Sequence, residues 1–556
     1  MLPGGWQSAR YRAPEPHMTG IQQYFGEISM PKVLISDKLA EEGIELLQKH
    51  FDVDVKTDLE KEELIKIIGE YDALAVRSQT KVTADVLEAA KNLKIVGRAG
   101  VGVDNIDVQT ATQKGIIVVN SPAGNTIAAA ELAMAMMLSL SRNIPQGHNS
   151  LRAGEWKRSK FLGVELYGKT LGVYGLGKIG TEVAKRAASF EMDVIGCDPF
   201  VSDEYARKIG VELVSVDELL KRSDYITIHA PLTKDTRGSI GVAEIAKTKH
   251  GVRIINCARG GIVDEAALCE AIEEGRVAGA AFDVYESEPP PVENPLLKFD
   301  ATVTTPHLGA STEEAQINVA VDVAEQIIDV LNGRPARSAV NMPALSAEVM
   351  AAVDPYLTLG ERIGTMLTQL AGGAVESIEI SYSGELSGLE TDPVGRAVLK
   401  GLLQPVLTEQ VNLVNAPVIA ERRGIRITES KSQAPEDYTS LLSVKVKTDQ
   451  AEKVIAGTLF GKKDIRVVQI NGYPIDIVPD GTMLVTTHID KPGIIGRVGT
   501  LLGSHNVNIA GMHVGREAVG KRAVMMLIVD DPVSESMLNQ IRELDGMESA
   551  KLVQFG

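Results

Sequence analysis

Cysteine is almost missing from these 556 residues: Cys197, Cys257 and Cys269 are the whole complement. Three thiols at such spacings give no disulfide framework and no zinc motif, no metal site is expected, and a reducing, cytoplasmic setting follows. Positive charge is also in deficit. A formal net charge of -17 repels nucleic acid and anionic membranes, so any anionic ligand has to be held by a local basic site. Long apolar runs are lacking too. The most apolar stretch, "IAAAELAMAMMLSL" over 127–140, has 14 residues and carries Glu131, too short and too polar to cross a bilayer, and it reads as a core helix. Residues 1–30 show no periodicity and no signal-peptide core, and read as an extension: a disordered tail, an over-extended start or a weak organelle address.

What is present is alternation. At about 150 residues per domain the length predicts three to four domains. Short β-rich runs at 33–35, 53–55, 74–76, 95–97 and 116–119 alternate with helical segments, which predicts a parallel α/β sheet. From 171 the alternation restarts with "LGVYGLGKIGTEVAKRAASFEMDVIGCD", where a strand, a glycine-rich turn, an amphipathic helix (Ile179, Val183, Ala187, Phe190) and a strand follow one another. Further strands are expected at 225–229, 252–256, 278–283 and 302–305. Beyond Pro335 and Pro343 the pattern changes: 345–479 reads as an α+β unit with one helix over 357–370, and 482–556 as strand, helix, strand, strand, helix, strand, a ferredoxin-like order.

A GxGxxG pattern alone is weak in a chain with 52 glycines. Here Gly175, Gly177 and Gly180 follow a strand and open a helix, and Asp198 ends the next strand 18 residues on. The glycines allow a tight turn and close approach of a pyrophosphate to a helix N-terminus, and the acid suits the ribose hydroxyls. The first arginine after Asp198 is Arg207, too distant to neutralise a 2'-phosphate, so NAD is expected over NADP.

Three polar residues stand where strands should end: Arg259 in "NCARGG", Glu288 in "DVYESEPP" and His307 in "TPHLGAST". Each alone has an ordinary reading, as a solvated arginine, a turn glutamate or a surface histidine. Behind a dinucleotide turn they suit hydride chemistry at a hydroxy acid: His307 as the base, Glu288 orienting and charge-stabilising it, Arg259 gripping a carboxylate.

At these residues the chain resembles the D-isomer specific 2-hydroxyacid dehydrogenases, and within them the long, regulated branch that acts on 3-phospho-D-glycerate. "GRAGVGVDNID", "GLGKIG", "NCARGG" and "PHLGAST" carry the likeness, which runs over 31–556. The resemblance implies that Arg259, Glu288 and His307 are the catalytic set. It also implies an NAD-binding Rossmann domain (125–311) inserted in a flavodoxin-like substrate domain (31–124 and 312–338), then an α+β intervening domain (345–479) and a ferredoxin-like ACT domain (482–556). Further NAD contacts implied are Lys178, Ile179, Cys257, Ala258, Asp283, Gly309 and Ala310, with Arg259 and His307 also bordering the cofactor. Val101 and Ala230 stand where some relatives have threonine.

For the phosphorylated substrate, Arg77 and Ser78 in "VRSQT", Arg98 in "GRAGVG", Asn125 in "AGNT" and Arg158 in "EWKRSKF" are candidates, because a phosphate seeks arginines; Arg98 and Arg158 also fit plain interdomain ion pairs. The resemblance implies 3-phosphohydroxypyruvate as product, the entry to serine synthesis, a homotetramer, and L-serine as effector at His488, Asp490 and Asn508. Another 2-hydroxyacid dehydrogenase, such as a hydroxypyruvate or glyoxylate reductase, and a nicotinamide-sensing corepressor stay open as alternatives.

Overall fold

The computed structural model describes residues 30–343, 347–434 and 437–555; the extension read at 1–30 lies, Met30 apart, outside them. The first sheet joins β1 (Lys32–Ile35), β2 (Asp52–Val55), β3 (Ala73–Val76), β4 (Ile95–Arg98) and β5 (Ile117–Asn120). All its pairings are parallel, in the order β2-β1-β3-β4-β5, the flavodoxin-like order expected. β3 is buried along its whole length, as an apolar run between two helical layers requires.

The helix Glu313–Leu331 returns to this sheet and closes one face of it. Its Val319, Ala320, Val323, Ala324, Ile327 and Ile328 join Val33, Ile35, Ala73, Ala75 and Val119 in one core. Packing is close enough that a Cβ on Gly97 would lie 2.5 Å from Val323 and one on Gly43 2.8 Å from Ala320. Each fully buried aliphatic chain there contributes about 1.5–3 kcal/mol. The helix Glu313–Leu331 thus packs with the first sheet across the intervening segment, and contacts with that sheet run past 338. Val340 N donates to Val118 O at 2.7 Å, and Asn341 accepts from Val118 N at 3.0 Å while donating to Ile116 O at 2.8 Å.

Inserted between these segments is a seven-stranded parallel sheet: β6 (Thr170–Tyr174), β7 (Asp193–Cys197), β8 (Glu212–Leu213), β9 (Tyr225–Ile228), β10 (Val252–Asn256), β11 (Val277–Phe282) and β12 (Thr302–Thr304). Its order is β12-β11-β10-β9-β6-β7-β8. The chain winds outward from β6 one way, then restarts on the other side at β9, so the strand order reverses between these two neighbours; ligands of such sheets lie at the carboxyl ends there. The apolar stretch at 127–140 is the helix Thr126–Arg142, whose Ala130, Ala133, Met134, Met137 and Leu140 are buried against this sheet. Among the described residues no single helix is long and apolar enough to cross a membrane. Phe190, expected on the buried helix face, lies just past the helix Lys178–Ser189 and is 44% exposed.

The C-terminal half departs further from expectation. Residues 347–477 hold a mixed six-stranded sheet of β13 (Val375–Gly384), β14 (Arg426–Ser432), β15 (Ser440–Thr448), β16 (Glu452–Phe460), β17 (Asp464–Ile470) and β18 (Tyr473–Ile477). Three helices accompany it, Ala347–Ala371, Asp392–Leu403 and Ala416–Arg422, where the sequence reading had one; the second and third start on Pro393 and Pro417 inside their first turns, which look like breaks in sequence but are tolerated at that position. The last unit, β19 (Thr482–Ile489), β20 (Ile509–Arg516), β21 (Arg522–Val529) and β22 (Met547–Gln554), is antiparallel in the order β20-β21-β19-β22, with two helices, as a ferredoxin-like unit requires. The two C-terminal units share one core, while Leu484, Val498, Leu502, Met525 and Ile541 build a second core inside the last unit. Met483, Val485, Val524, Met526 and Val553 belong to the same cluster as Leu359, Ile363, Met366 and Ile455.

Candidate active site

Nearly every chemically suggestive residue of the first half follows the last residue of a parallel strand. Gly175 comes after β6, Asp198 after β7, Cys257 to Arg259 after β10, Asp283 after β11 and His307 three residues beyond β12. On the other sheet, Arg77 follows β3, Arg98 ends β4, and β5 runs into Ser121 to Asn125. The two carboxyl edges face one another: Arg259 on the inserted unit lies 3.3 Å from Asp104 on the substrate unit, Nε to Oδ2.

His307 and Glu288 are joined. His307 Nδ1 lies 2.7 Å from Glu288 Oε2, and the other carboxylate oxygen accepts from Tyr285 N at 3.1 Å. Burial pushes the Glu288 carboxyl up, but its bond to His307, that ring's charge and the Tyr285 N–H outweigh this and hold it below the usual carboxylate range. The acid stays ionised and fixes the ring with Nε2 free for substrate. His307 has φ +55°, a conformation that a non-glycine residue keeps only when its surroundings impose it. Asp283 imposes it here. Fully buried, it takes hydrogen bonds from Thr305 Oγ1 (2.6 Å), Leu308 N (2.7 Å) and Gly309 N (2.9 Å), and its own O accepts from His307 N at 2.9 Å. Burial still leaves the Asp283 carboxyl above its ordinary range.

Arg259 owes its position to the bend around it. Buried Asn256 accepts from Ala258 N at 3.1 Å and donates to Arg259 O at 2.9 Å. A Cβ at Gly260 would sit 1.8 Å from Tyr285 O, so only glycine lets the chain turn there. Cys257 is half-buried, with its thiol pushed up by burial first and by Asp283 second; it is an inert wall, not a nucleophile.

The nucleotide turn fits its dinucleotide. Gly175 has φ +96°, a Cβ on Gly180 would lie 2.0 Å from Gly175 O, and Gly177 is open to space; this is the tight turn, close packing and bare backbone that a pyrophosphate needs. Lys178 and Ile179 open the helix Lys178–Ser189. Asp198 is tied to the turn, accepting from Leu176 N at 2.9 Å and Phe200 N at 2.8 Å. Ala310 follows Gly309 and is half-buried.

Of the substrate candidates, Arg77, Arg98 and Arg259 converge. Arg98 is brought down to about 10, first by burial and then by the charges of Arg259 and Arg77, with Asp104 and Asp37 opposing. Its Nε and the Oδ1 of Asn125 are buried without a hydrogen-bond partner, the state of groups arranged for a ligand. Ser78 is exposed beside Arg77, and Arg158 stands exposed on the turn Arg158–Phe161 of the inserted unit. The sequence reading missed the frame of the Arg77 loop: buried Asp37 accepts from Arg77 N (2.6 Å) and Thr80 N (3.0 Å), and Asn105 donates to Arg77 O (2.8 Å) and Thr80 O (2.7 Å). An aspartate closing the apolar run "VLISD" was the available signal. It also missed His229, after β9 at the strand-order reversal, which burial brings down to about 4 and so keeps neutral.

The three effector candidates differ in their surroundings. His488 is fully buried with both ring nitrogens unpartnered, Asp490 pairs with Arg516 at 3.2 Å, and Asn508 donates to Asp530 at 2.6 Å. Among the described residues no group of three His, Cys, Asp or Glu side chains could hold a metal.

Comparison with known proteins gives the family. Residues 134–309 match the D-isomer specific 2-hydroxyacid dehydrogenase NAD binding domain, 352–471 the D-3-phosphoglycerate dehydrogenase intervening domain and 482–546 the ACT domain. Among solved structures, D-lactate dehydrogenase from Aquifex aeolicus, complexed with NAD and lactic acid, is 27% identical at a TM-score of 0.51, covering 56% of this chain and 100% of that one. The chain belongs to the D-isomer specific 2-hydroxyacid dehydrogenases and binds NAD. Within them it stands in the family of D-3-phosphoglycerate dehydrogenases: the enzyme of that name from Archaeoglobus fulgidus is 51% identical over 94% of this chain and 100% of its own, and that from Bacillus subtilis 45% over 95% and 100%.

Proposed function

We propose that this enzyme oxidises 3-phospho-D-glycerate to 3-phosphohydroxypyruvate, the step that opens serine synthesis, with NAD. The observation that carries it is the convergence of Arg77, Arg98 and Arg259 beside the His307–Glu288 pair. One arginine serves a carboxylate; three, one with an unpartnered buried Nε, suit a substrate that also bears a phosphate. Arg259 holds the carboxylate and sets the reacting carbon, Arg77, Arg98 and Asn125 hold the phosphate, and His307 Nε2 takes the hydroxyl proton while Glu288 steadies the imidazolium. Bound NAD supplies the hydride acceptor.

The C-terminal units favour this over a general hydroxyacid reductase, because the lactate dehydrogenase likeness spans only 56% of the chain. In the last unit, a fully buried histidine with free ring nitrogens beside Asp490 supports a serine-sensing role for His488, Asp490 and Asn508. Self-association into a homotetramer is supported by apolar side chains exposed on the inserted unit, Ile144, Leu151, Trp156, Leu162 and Tyr167, since such patches mark interfaces. The decisive experiment is NADH formation with 3-phospho-D-glycerate and with D-glycerate, product trapped, with and without millimolar serine. Strong preference for the phosphorylated substrate and inhibition by serine are expected; equal rates on both would replace this reading with a general 2-hydroxyacid dehydrogenase.

A further inference from the structure

Asp104, inside the stretch "GRAGVGVDNID", borders the cleft between the two units. It follows β4 on the loop "GVDN", its side chain is 74% exposed, and among the described residues its one ion pair reaches across to Arg259 on the other unit at 3.3 Å. Room for that contact has been made. A Cβ on Gly102 would fall 2.1 Å from Arg259 Nη2 and 2.6 Å from Asp104 Oδ2, so a bare backbone at 102 is what lets the two side chains meet. On its other side Arg259 Nη1 donates to Ala258 O at 2.7 Å.

We propose that Asp104 is a positioning residue that stands in for the substrate's carboxylate on Arg259 and is displaced when substrate binds. This rests on the reading of Arg259 as the carboxylate anchor. Arg98 and Arg259 repel one another in a partly buried cleft, and Asp104 opposes that repulsion. An anion is therefore needed there before substrate arrives, and becomes surplus once substrate brings its own. The pair is built to yield: a single 3.3 Å contact from an exposed aspartate is weak, whereas an incoming carboxylate bonds a guanidinium in two places. Asp104 thus keeps Arg259 extended over the cleft while charging each carboxylate ligand a modest displacement cost.

The test uses the full-length enzyme saturated with NADH, oxamate as a non-reacting carboxylate probe, and calorimetry, beside steady-state kinetics with 3-phospho-D-glycerate and NAD. Asp104→Asn is expected to bind oxamate about two- to fivefold more tightly, the range for removing one exposed ion pair. KM should fall by a similar factor, and kcat should fall with it as the product carboxylate leaves more slowly; Asp104→Glu, which keeps the charge, should return both toward wild type. Weaker oxamate binding with a raised KM would overturn the proposal by making Asp104 a brace for Arg259, and unchanged binding would overturn it by making the pair idle. Asp104→Ser serves if the asparagine variant does not fold. Tighter oxamate binding in a protein whose wild type ignores 3-phospho-D-glycerate would keep this inference and remove only the substrate reading.

Discussion

The two halves of the molecule handle polar side chains in opposite ways. In the first half, two parallel sheets place their carboxyl ends against each other, and residues scattered from 77 to 307 converge there, because each side chain leaves its strand at the same edge. In the second half the sheets are largely antiparallel, successive strands end at opposite edges, and the candidate polar residues have separate settings: His488 is buried, Asp490 held by Arg516, Asn508 by Asp530. Parallel winding gathers chemistry within one chain, and alternating strand direction does not. The two units of the C-terminal half are joined through one shared core.

Breaking the convergent half should have the larger effect. His307→Gln removes the base but leaves the turn at Gly175 intact, so kcat should drop by roughly 10² to 10⁴ with NAD still bound, read by steady-state kinetics and by NADH fluorescence; near-normal turnover would exclude His307. Next in size is the nucleotide turn. Gly180→Ala drives a methyl into Gly175 O, which should cost about 1–3 kcal/mol of stability and shrink the shift in Tm that NADH produces; a shift equal to wild type would show that the turn tolerates side chains. The smallest and most selective effect belongs to the C-terminal half. Asn508→Ala should weaken serine inhibition about tenfold or more, on the scale of a hydrogen bond to a charged group, measured as the serine concentration for half inhibition. An unaltered serine response would place the effector elsewhere and sharpen the contrast between the halves.

Much of the first half was legible because periodicity there is strong. The strand ending at Asn256 and the glycine turn at 175–180 stand in structure as their patterns predicted, since a buried parallel strand is a plain apolar run and the turn has few sequence solutions. Less legible were the groups that hold the chemistry in place. Asp37 and Asn105 bond to backbone atoms of the Arg77 loop, 40 and 28 residues away, and no local pattern records such a partner. The extra helices Asp392–Leu403 and Ala416–Arg422 were hidden by prolines at their starts.

By itself the sequence determined the dinucleotide turn and the parallel sheets and put Arg259 and His307 just past strand ends, because local sterics and apolar periodicity act over a few residues. Tertiary structure alone decided that Glu288 reaches His307, that Asp283 holds the histidine at positive φ, that the two C-terminal units share a core, and that Asp104 meets Arg259 over Gly102. Those outcomes depend on distances between segments far apart in the chain, which are fixed only when the sheets pack and each buried polar group must find a partner.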